Sequence, residues 1–189
     1  MANKDAERWN RRYRTADYHD GSQPRAILER ALPYIRKNGL ILDLAMGLGG
    51  NARWLIDRGY RVLGVDISNE AVFQAKRNCS KLWAVIGDLD EYNFPGKTFT
   101  TILNFYFLDR KIIQDFSRIL QPKGIAIVET LTVDMLDIKP DLPEEFLLQK
   151  GELLEFFAGW NILEYQEGWL TSAHGKKKSV ASLIGRLPE

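Results

Sequence analysis

Between residues 39 and 58 an apolar run, a glycine-rich turn and a helical pattern follow one another without a gap, and few folds accept that order. Residues 39–44 (Gly-Leu-Ile-Leu-Asp-Leu) are almost wholly apolar, as a central strand covered on both faces must be. The turn reads Asp43-Leu-Ala-Met-Gly47-Leu-Gly49-Gly50-Asn51-Ala52. Ala52, Leu55 and Ile56 then share one helical face, and Gly59 is placed to end the helix in the left-handed conformation. Glycines at such a junction let the backbone approach a ligand closely, where the helix offers free N–H groups to an anion.

The same unit recurs along the chain. Residues 61–67 predict a second strand, and Ser68 is a suitable N-cap for a helix carrying Ala71, Val72 and Ala75. Third and fourth strands are expected at 82–86 and 98–104. Asp109 can cap a helix whose Ile112, Ile113, Phe116, Ile119 and Leu120 keep helical spacing. Gln121-Pro122-Lys123-Gly124 should break it before a fifth strand at 125–128. Strands alternating with helices imply an α/β, doubly wound parallel sheet with right-handed crossovers. After Glu129 the pattern changes. Residues 132–143 read as irregular, and a short helix around 152–157 can end at Gly159. Strands at 160–167 and 179–186 are too closely connected for a helix between them, so they should form an antiparallel hairpin at one edge. Upstream, residues 23–32 also read as a helix.

A length of 189 residues suits one domain, spanning residues 1–189. The formal net charge of +1 supplies no field to recruit nucleic acid or an anionic membrane. Lys176-Lys177-Lys178 reads as a solvated hairpin tip. One cysteine, Cys79, gives no disulfide framework or thiolate cluster, and His19 and His174 lie too far apart to suggest a metal site. The polar first residues lack the apolar centre of a signal peptide, and no apolar stretch is long enough to cross a bilayer. A cytoplasmic protein is expected, with no metal and no membrane partner.

The glycine turn alone leaves the ligand open. Gly47-x-Gly49-x-x-Ala52 also satisfies the dinucleotide fingerprint, and Asp66 is expected with either ligand because both present ribose hydroxyls. Asp43 bears on the choice: an acid there repels a pyrophosphate but suits a ligand with an ammonium and a sulfonium. It can also serve simply to cap loop amides. Gly87-Asp88-Leu89 follows the third strand, where a carboxylate can accept from the exocyclic amine of adenine; an aspartate there is also an ordinary turn residue.

Taken together these stretches resemble the class I S-adenosylmethionine-dependent methyltransferases. Asp43-x-Ala45-x-Gly47-x-Gly49 is similar to their first motif, and Val65-Asp66-Ile67-Ser68 to the acidic loop after the second strand. Gly87-Asp88-Leu89 is similar to the adenine loop, and Leu120-Gln-Pro-Lys-Gly124 to the turn before the fifth strand. Trp9-Asn-Arg-Arg12-Tyr13, Asn51-Ala-Arg-Trp-Leu55 and the compact size most resemble the small tellurite-resistance and thiopurine type. Met46 departs from the pattern, since many relatives carry cysteine there, and should change only loop packing.

The resemblance implies a three-layer sandwich on a seven-stranded, mostly parallel sheet of order 3-2-1-4-5-7-6, with the last strand antiparallel. It implies S-adenosyl-L-methionine as cofactor and S-adenosyl-L-homocysteine as product. Asp43 and the backbone at Gly47 and Gly49 would hold the methionine portion. Asp66 would accept from the ribose hydroxyls, with Ile67 under the adenine and Asp88 and Leu89 around it. Ala45 and Asn51 belong to the same loop, and Asn104 would lie near the sulfonium. Helices within residues 1–38 would cover the cleft, with Trp9 and Tyr13 closing over the cofactor and Arg12 meeting its carboxylate. An amphipathic N-terminal helix packed on the sheet is the other reading of that trio.

In-line methyl transfer from a sulfonium takes most of its rate from orientation and water exclusion, worth up to roughly 7–11 kcal/mol. A base is needed only if the acceptor must lose a proton. Tyr106 and Glu129, at the ends of the fourth and fifth strands, are the candidates, ahead of Asp109, His19 and His174. Asn104-Phe105-Tyr106-Phe107 faintly resembles the Asn-Pro-Pro-Tyr/Phe motif of base-amine methyltransferases, but both prolines are missing. The expected acceptor is therefore a small molecule or metalloid oxyanion rather than nucleic acid, bound by a monomer or dimer. A cofactor-binding regulator without turnover and an NAD-dependent oxidoreductase are the other readings.

Overall fold

β1 (Leu40–Leu44) is apolar along both faces because strands flank it on either side and helices cover it above and below. In the computed structural model, which describes residues 2–15, 23–171 and 177–189, β1 pairs in parallel with β2 (Arg61–Asp66) and β4 (Phe99–Phe105). β3 (Trp83–Ile86) extends the sheet beyond β2, and β5 (Leu120–Leu131) lies beyond β4, both parallel to their neighbours. β7 (Lys177–Arg186) runs antiparallel between β5 and β6 (Asn161–Thr171). The order is β3-β2-β1-β4-β5-β7-β6, as the resemblance implies.

The two-residue period of the strands divides the core. Leu42, Leu44, Ile102 and Val128 face one layer with α5 (Arg110–Gln114), α6 (Phe116–Ile119) and α7 (Glu152–Phe156). Ile41, Val62, Leu103 and Ile127 face the other, with α2 (Ile27–Ala31), α3 (Gly50–Ile56) and α4 (Asn69–Asn78). Each fully buried leucine or isoleucine of these layers contributes about 1.5–3 kcal/mol of transfer free energy.

Several expectations are corrected. The helix predicted from Asp109 is broken at Asp115 into α5 and α6. Gln121-Pro122-Lys123-Gly124 does not precede the fifth strand but interrupts it. β5 starts at Leu120 opposite Phe99, its register shifts, and pairing resumes with Thr101 opposite Ile125. Pro122, which has no N–H to give a ladder, sits in that irregular stretch. Residues 23–32 yield only α2, followed by a 3-10 turn Leu32–Tyr34 with Pro33 in it. Residues 132–143, expected to be irregular, include a 3-10 turn at Val133–Asp137. Lys177 and Lys178 are the first strand residues of β7, opposite Thr171 and Leu170 at the end of the hairpin, with Lys177 exposed and Lys178 half-buried. His19, His174 and Lys176 lie outside the described residues.

α1 (Ala2–Arg14) docks on α4 rather than on the sheet. The Ser68 hydroxyl donates to Asn10 Oδ1 at 2.6 Å and accepts from the Ala71 N–H at 3.1 Å, so one side chain caps α4 and ties α1 to it. Gln74 donates to the Tyr13 carbonyl at 2.9 Å, and Arg14 pairs with Glu70 at 2.9 Å. Among the described residues no helix is long and apolar enough to cross a membrane.

Ser68→Ala removes the cap and the α1 anchor together. Loss of the cap alone should cost about 0.5–2 kcal/mol. Urea unfolding should show this as a lower midpoint at unchanged slope; an unaltered midpoint would mean that the cap carries no stability.

Candidate functional site

β1 runs into a loop that only a particular set of residues tolerates. Ala45, Gly47 and Gly49 have φ of 48°, 57° and 71°, a left-handed region that is easy for glycine and uncommon for alanine. The Gly47 N–H donates to Asp66 Oδ2 at 2.7 Å, and the Ser68 N–H donates to Asp66 Oδ1 at 2.8 Å. The Met46 N–H bonds the Val65 carbonyl at 3.1 Å. The Met46 side chain is buried over Gly64, where an added Cβ would lie 2.1 Å from its sulfur. Gly64 thus makes the room that the longer Met46 side chain needs. At Gly47 an added Cβ would lie 2.9 Å from the Tyr13 hydroxyl, so α1 closes directly over the loop.

Between this loop, α1 and the carboxyl ends of the strands is a cleft of about 550 Å³. Its size is within the usual range for small-molecule sites, and it lies where open α/β sheets bind ligands. Trp9, Arg12 and Tyr13 line it from α1. Asp43, Ala45, Gly47 and Asn51 line it from the loop, Asp66 and Ile67 from the end of β2, Asp88 and Leu89 from the end of β3, and Tyr106 from beyond β4.

Three expected residues are placed elsewhere. Gly49 is the N-cap of α3; its N–H is bonded to the Met46 carbonyl at 3.1 Å and its α-carbon faces Ala75 and Leu82. Asn104 is fully buried, on the face of β4 opposite Leu103 and Phe105, and neither polar atom of its amide has a hydrogen-bond partner among the described residues. Glu129 does not line the cleft but touches a residue that does, accepting from the Tyr106 hydroxyl at 3.1 Å. Tyr106 has φ of 56°, strained for an aromatic residue, and its N–H bonds the Glu129 carbonyl at 2.8 Å. Both ends of the tyrosine are therefore held by one glutamate. Asp109 caps α5, accepting from the N–H groups of Lys111 and Ile112 at 2.8 and 3.0 Å.

The electrostatics are set by two neighbouring buried acids. Burial, and secondarily the charge of Asp66, push the Asp43 carboxyl up to about 8. Asp66 is also raised by burial, against the opposing effect of the Ser68 and Gly47 N–H groups. One oxygen of Asp43, Oδ2, is buried without a hydrogen-bond partner among the described residues. An acid in that condition has unmet capacity for a cationic donor, which would also favour loss of its proton, whereas a pyrophosphate brings no donor to satisfy it.

Arg25 and Phe146 line the cleft as well, yet no motif marked them; Phe107 lines it too. Arg25 precedes α2, and its N–H donates to Asn51 Oδ1 at 2.9 Å. Its guanidinium lies 4.3 Å from the centre of the Tyr106 ring. Phe146 comes from the stretch after β5 where periodicity carries no signal. Among the described residues no group of three His, Cys, Asp or Glu is placed to hold a metal.

Residues 41–124 match the family described as a methyltransferase domain. Over 140 residues the chain is 31% identical to hemagglutinin 1 of Eikenella corrodens, covering 67% of this chain and 45% of that protein. It is 26% identical over 140 residues to the 23S rRNA (uracil(747)-C(5))-methyltransferase of Pyrococcus abyssi, covering 69% of this chain and 33% of that one. The chain thus spans less than half the length of either relative. A solved SAM-dependent methyltransferase of Methanosarcina mazei superposes with a TM-score of 0.68 at 19% identity, over 88% of this chain and 100% of that chain. The stretch 41–124 thus matches a methyltransferase-domain family, and the chain has the fold of that solved SAM-dependent methyltransferase.

The raised Asp43 carboxyl has a consequence for stability. Its folded value of about 8 exceeds the unfolded 3.8, so between those values the folded state holds a proton that the unfolded state has released. Stability from this group is therefore present at low pH and lost as pH rises from about 4 to about 8. Asp43→Asn cannot titrate, so its unfolding free energy should fall less steeply over that range than the parent protein's. Equal slopes in urea titrations at a series of pH values would show that Asp43 is ionised throughout.

Proposed function

We propose that this chain is a single-domain, cytoplasmic S-adenosylmethionine-dependent methyltransferase acting on a small-molecule acceptor. The observation that carries the cofactor reading is the buried oxygen of Asp43 beside a glycine loop, without a hydrogen-bond partner among the described residues. The ammonium of S-adenosylmethionine can donate to that oxygen and favour its ionised form, whereas the pyrophosphate of NAD has no donor to offer it. The sheet order then sets the orientation. Asp88 and Leu89 at the end of β3 would surround the adenine. Asp66 at the end of β2 would take the ribose hydroxyls, since a carboxylate keeps further lone pairs beyond those given to Gly47 and Ser68. Asp43 and the loop at the end of β1 would hold the methionine portion. Trp9, Arg12 and Tyr13 would close over it from the N-terminal helices, with Arg12 toward the carboxylate.

When bound, the cofactor supplies a methyl group already activated by its sulfonium. The chain's own part is to orient the acceptor over the ends of β4 and β5 and to keep water out. Tyr106, held by Glu129, is the polar side chain best placed there. Its hydroxyl can take the proton of an acceptor only as its own proton moves to the Glu129 carboxylate. The motifs at Trp9–Tyr13 and Asn51–Leu55 support the tellurite-resistance and thiopurine type. The exclusion of nucleic acid expected from the charge has no support from the relatives, one of which is named for 23S rRNA. The small-molecule reading rests instead on the size of the cleft and its aromatic rim.

Calorimetric titration with S-adenosylhomocysteine, with NAD as control, tests the reading. Micromolar binding of the first and none of the second is expected; the reverse would make the chain a dinucleotide-binding protein. Asp66→Ala should weaken S-adenosylhomocysteine binding by roughly 10–100-fold, the worth of hydrogen bonds to a charged acceptor. Unchanged affinity would remove Asp66 from the site. Once an acceptor is in hand, Tyr106→Phe should lower kcat while leaving S-adenosylhomocysteine affinity in place. Equal turnover by both proteins would make Tyr106 a packing residue.

A further inference from the structure

The sheet has two open edges, β3 and β6, and they are built differently. β6 carries Glu164 and Glu167, and its register with β7 shifts between Ile162 and Glu164. Acids and irregularities of that kind are what keep an edge strand from pairing with another chain. β3 has neither. It reads Trp83-Ala84-Val85-Ile86, and its ladder with β2 is regular from Leu63 opposite Trp83 to Asp66 opposite Ile86. The Gly87 N–H bonds the Asp66 carbonyl at 3.0 Å, so residues 83, 85 and 87 direct their backbone groups to β2. Alternation then turns the N–H and C=O of Ala84 and Ile86 outward, and among the described residues nothing bonds them.

The side chains of this edge are uncovered too. Trp83 and Ile86 are 54% and 47% exposed, one on each face of the sheet, and Phe73 of α4 and Tyr92 beyond β3 are exposed beside them. Tyr92 lies over Gly87, where an added Cβ would be 2.8 Å from its ring. Charge is divided along the strand. The exposed Arg77 and Lys81 precede it, and Asp88, Asp90 and Glu91 follow it. An antiparallel neighbour of the same sequence sets each charged end against its opposite, which a foreign strand has no reason to do. A twofold axis through Val85 also matches the side chains by size. Val85 then faces Val85 of the second copy, Ala84 faces Ile86, and Trp83 faces Gly87, so each large exposed residue stands opposite a small one. In that register Ala84 and Ile86 form hydrogen-bonded pairs, and every outward N–H and C=O of the two residues finds a partner.

We propose that β3 is a homodimer seam, along which a second copy of this chain pairs antiparallel about Val85 and joins two seven-stranded sheets into one. The seam covers the exposed residues on both faces of the edge. It forms whether or not the cleft takes S-adenosylmethionine.

Sedimentation velocity of the full chain over a wide range of concentrations tests it. A dimer is expected. Ile86→Lys should weaken it by about tenfold or more, since the apolar contact is lost twice in a symmetric pair. Urea unfolding checks that this variant is folded, and Trp83→Lys, at a more exposed position, should act in the same way if it is not. Trp169→Lys, on the β6 edge, should leave the dimer unchanged, and Lys81→Glu should weaken it severalfold. Val85→Cys in a Cys79→Ser background should link the two copies by a disulfide on mild oxidation. Non-hydrogen-bonded antiparallel pairs hold their α-carbons about 4.5 Å apart, within disulfide reach. A parent chain that stays monomeric at every concentration overturns the proposal, including one that is monomeric alone and takes a different polypeptide along β3. So does a dimer that Trp169→Lys dissociates and neither Ile86→Lys nor Trp83→Lys does, and so does a dimer in which Val85→Cys forms no link.

Discussion

The Asp66 carboxylate organises the cleft. It is buried at the end of β2, and it accepts one N–H from Gly47 and another from Ser68. The first bond draws the glycine loop of β1 across to β2, and the second fixes the turn into α4. Hydrogen bonds to a charged group contribute about 1.5–3 kcal/mol each, and removing the acceptor would leave two buried N–H groups without partners. The glycine loop after Asp43 and the turn that carries Ile67 are both held from this point.

Ser68 passes that order outward. Its N–H belongs to Asp66, while its hydroxyl joins α4 to Asn10 of α1. The helix that carries Trp9, Arg12 and Tyr13 is thereby tied to the same carboxylate that shapes the loop. The roof and floor of the cleft share one anchor. A ligand that contacts both also bridges two groups already connected through Ser68, which lessens the ordering that binding would otherwise require.

The acids at one end of the cleft follow from the order of the strands. Asp88, Asp66 and Asp43 stand at the ends of β3, β2 and β1, while Tyr106 follows β4 and its partner Glu129 belongs to β5. An extended cationic cofactor laid over the first three strands would present its reactive group toward β4 and β5. That polarity needs no moving part; it is the doubly wound topology expressed in side chains.

The local patterns were enough to determine the alternation of strands and helices, the glycine turn, the Ser68 and Asp109 caps, and the acids at three strand ends. Each depends on residues close in the chain, where spacing and propensity act directly. The tertiary structure alone decided that Asn104 turns into the core, that Gly49 serves packing against Ala75 and Leu82, and that Gln121–Gly124 lies within a strand. It also decided that Gly64 accommodates Met46 and that α1 rests on α4. Arg25 and Lys178 lie more than 150 residues apart and meet at one tyrosine only because β7 inserts beside β5. Contacts of that separation leave no period or motif in the chain, since what fixes them is the closing of the sheet rather than any local preference.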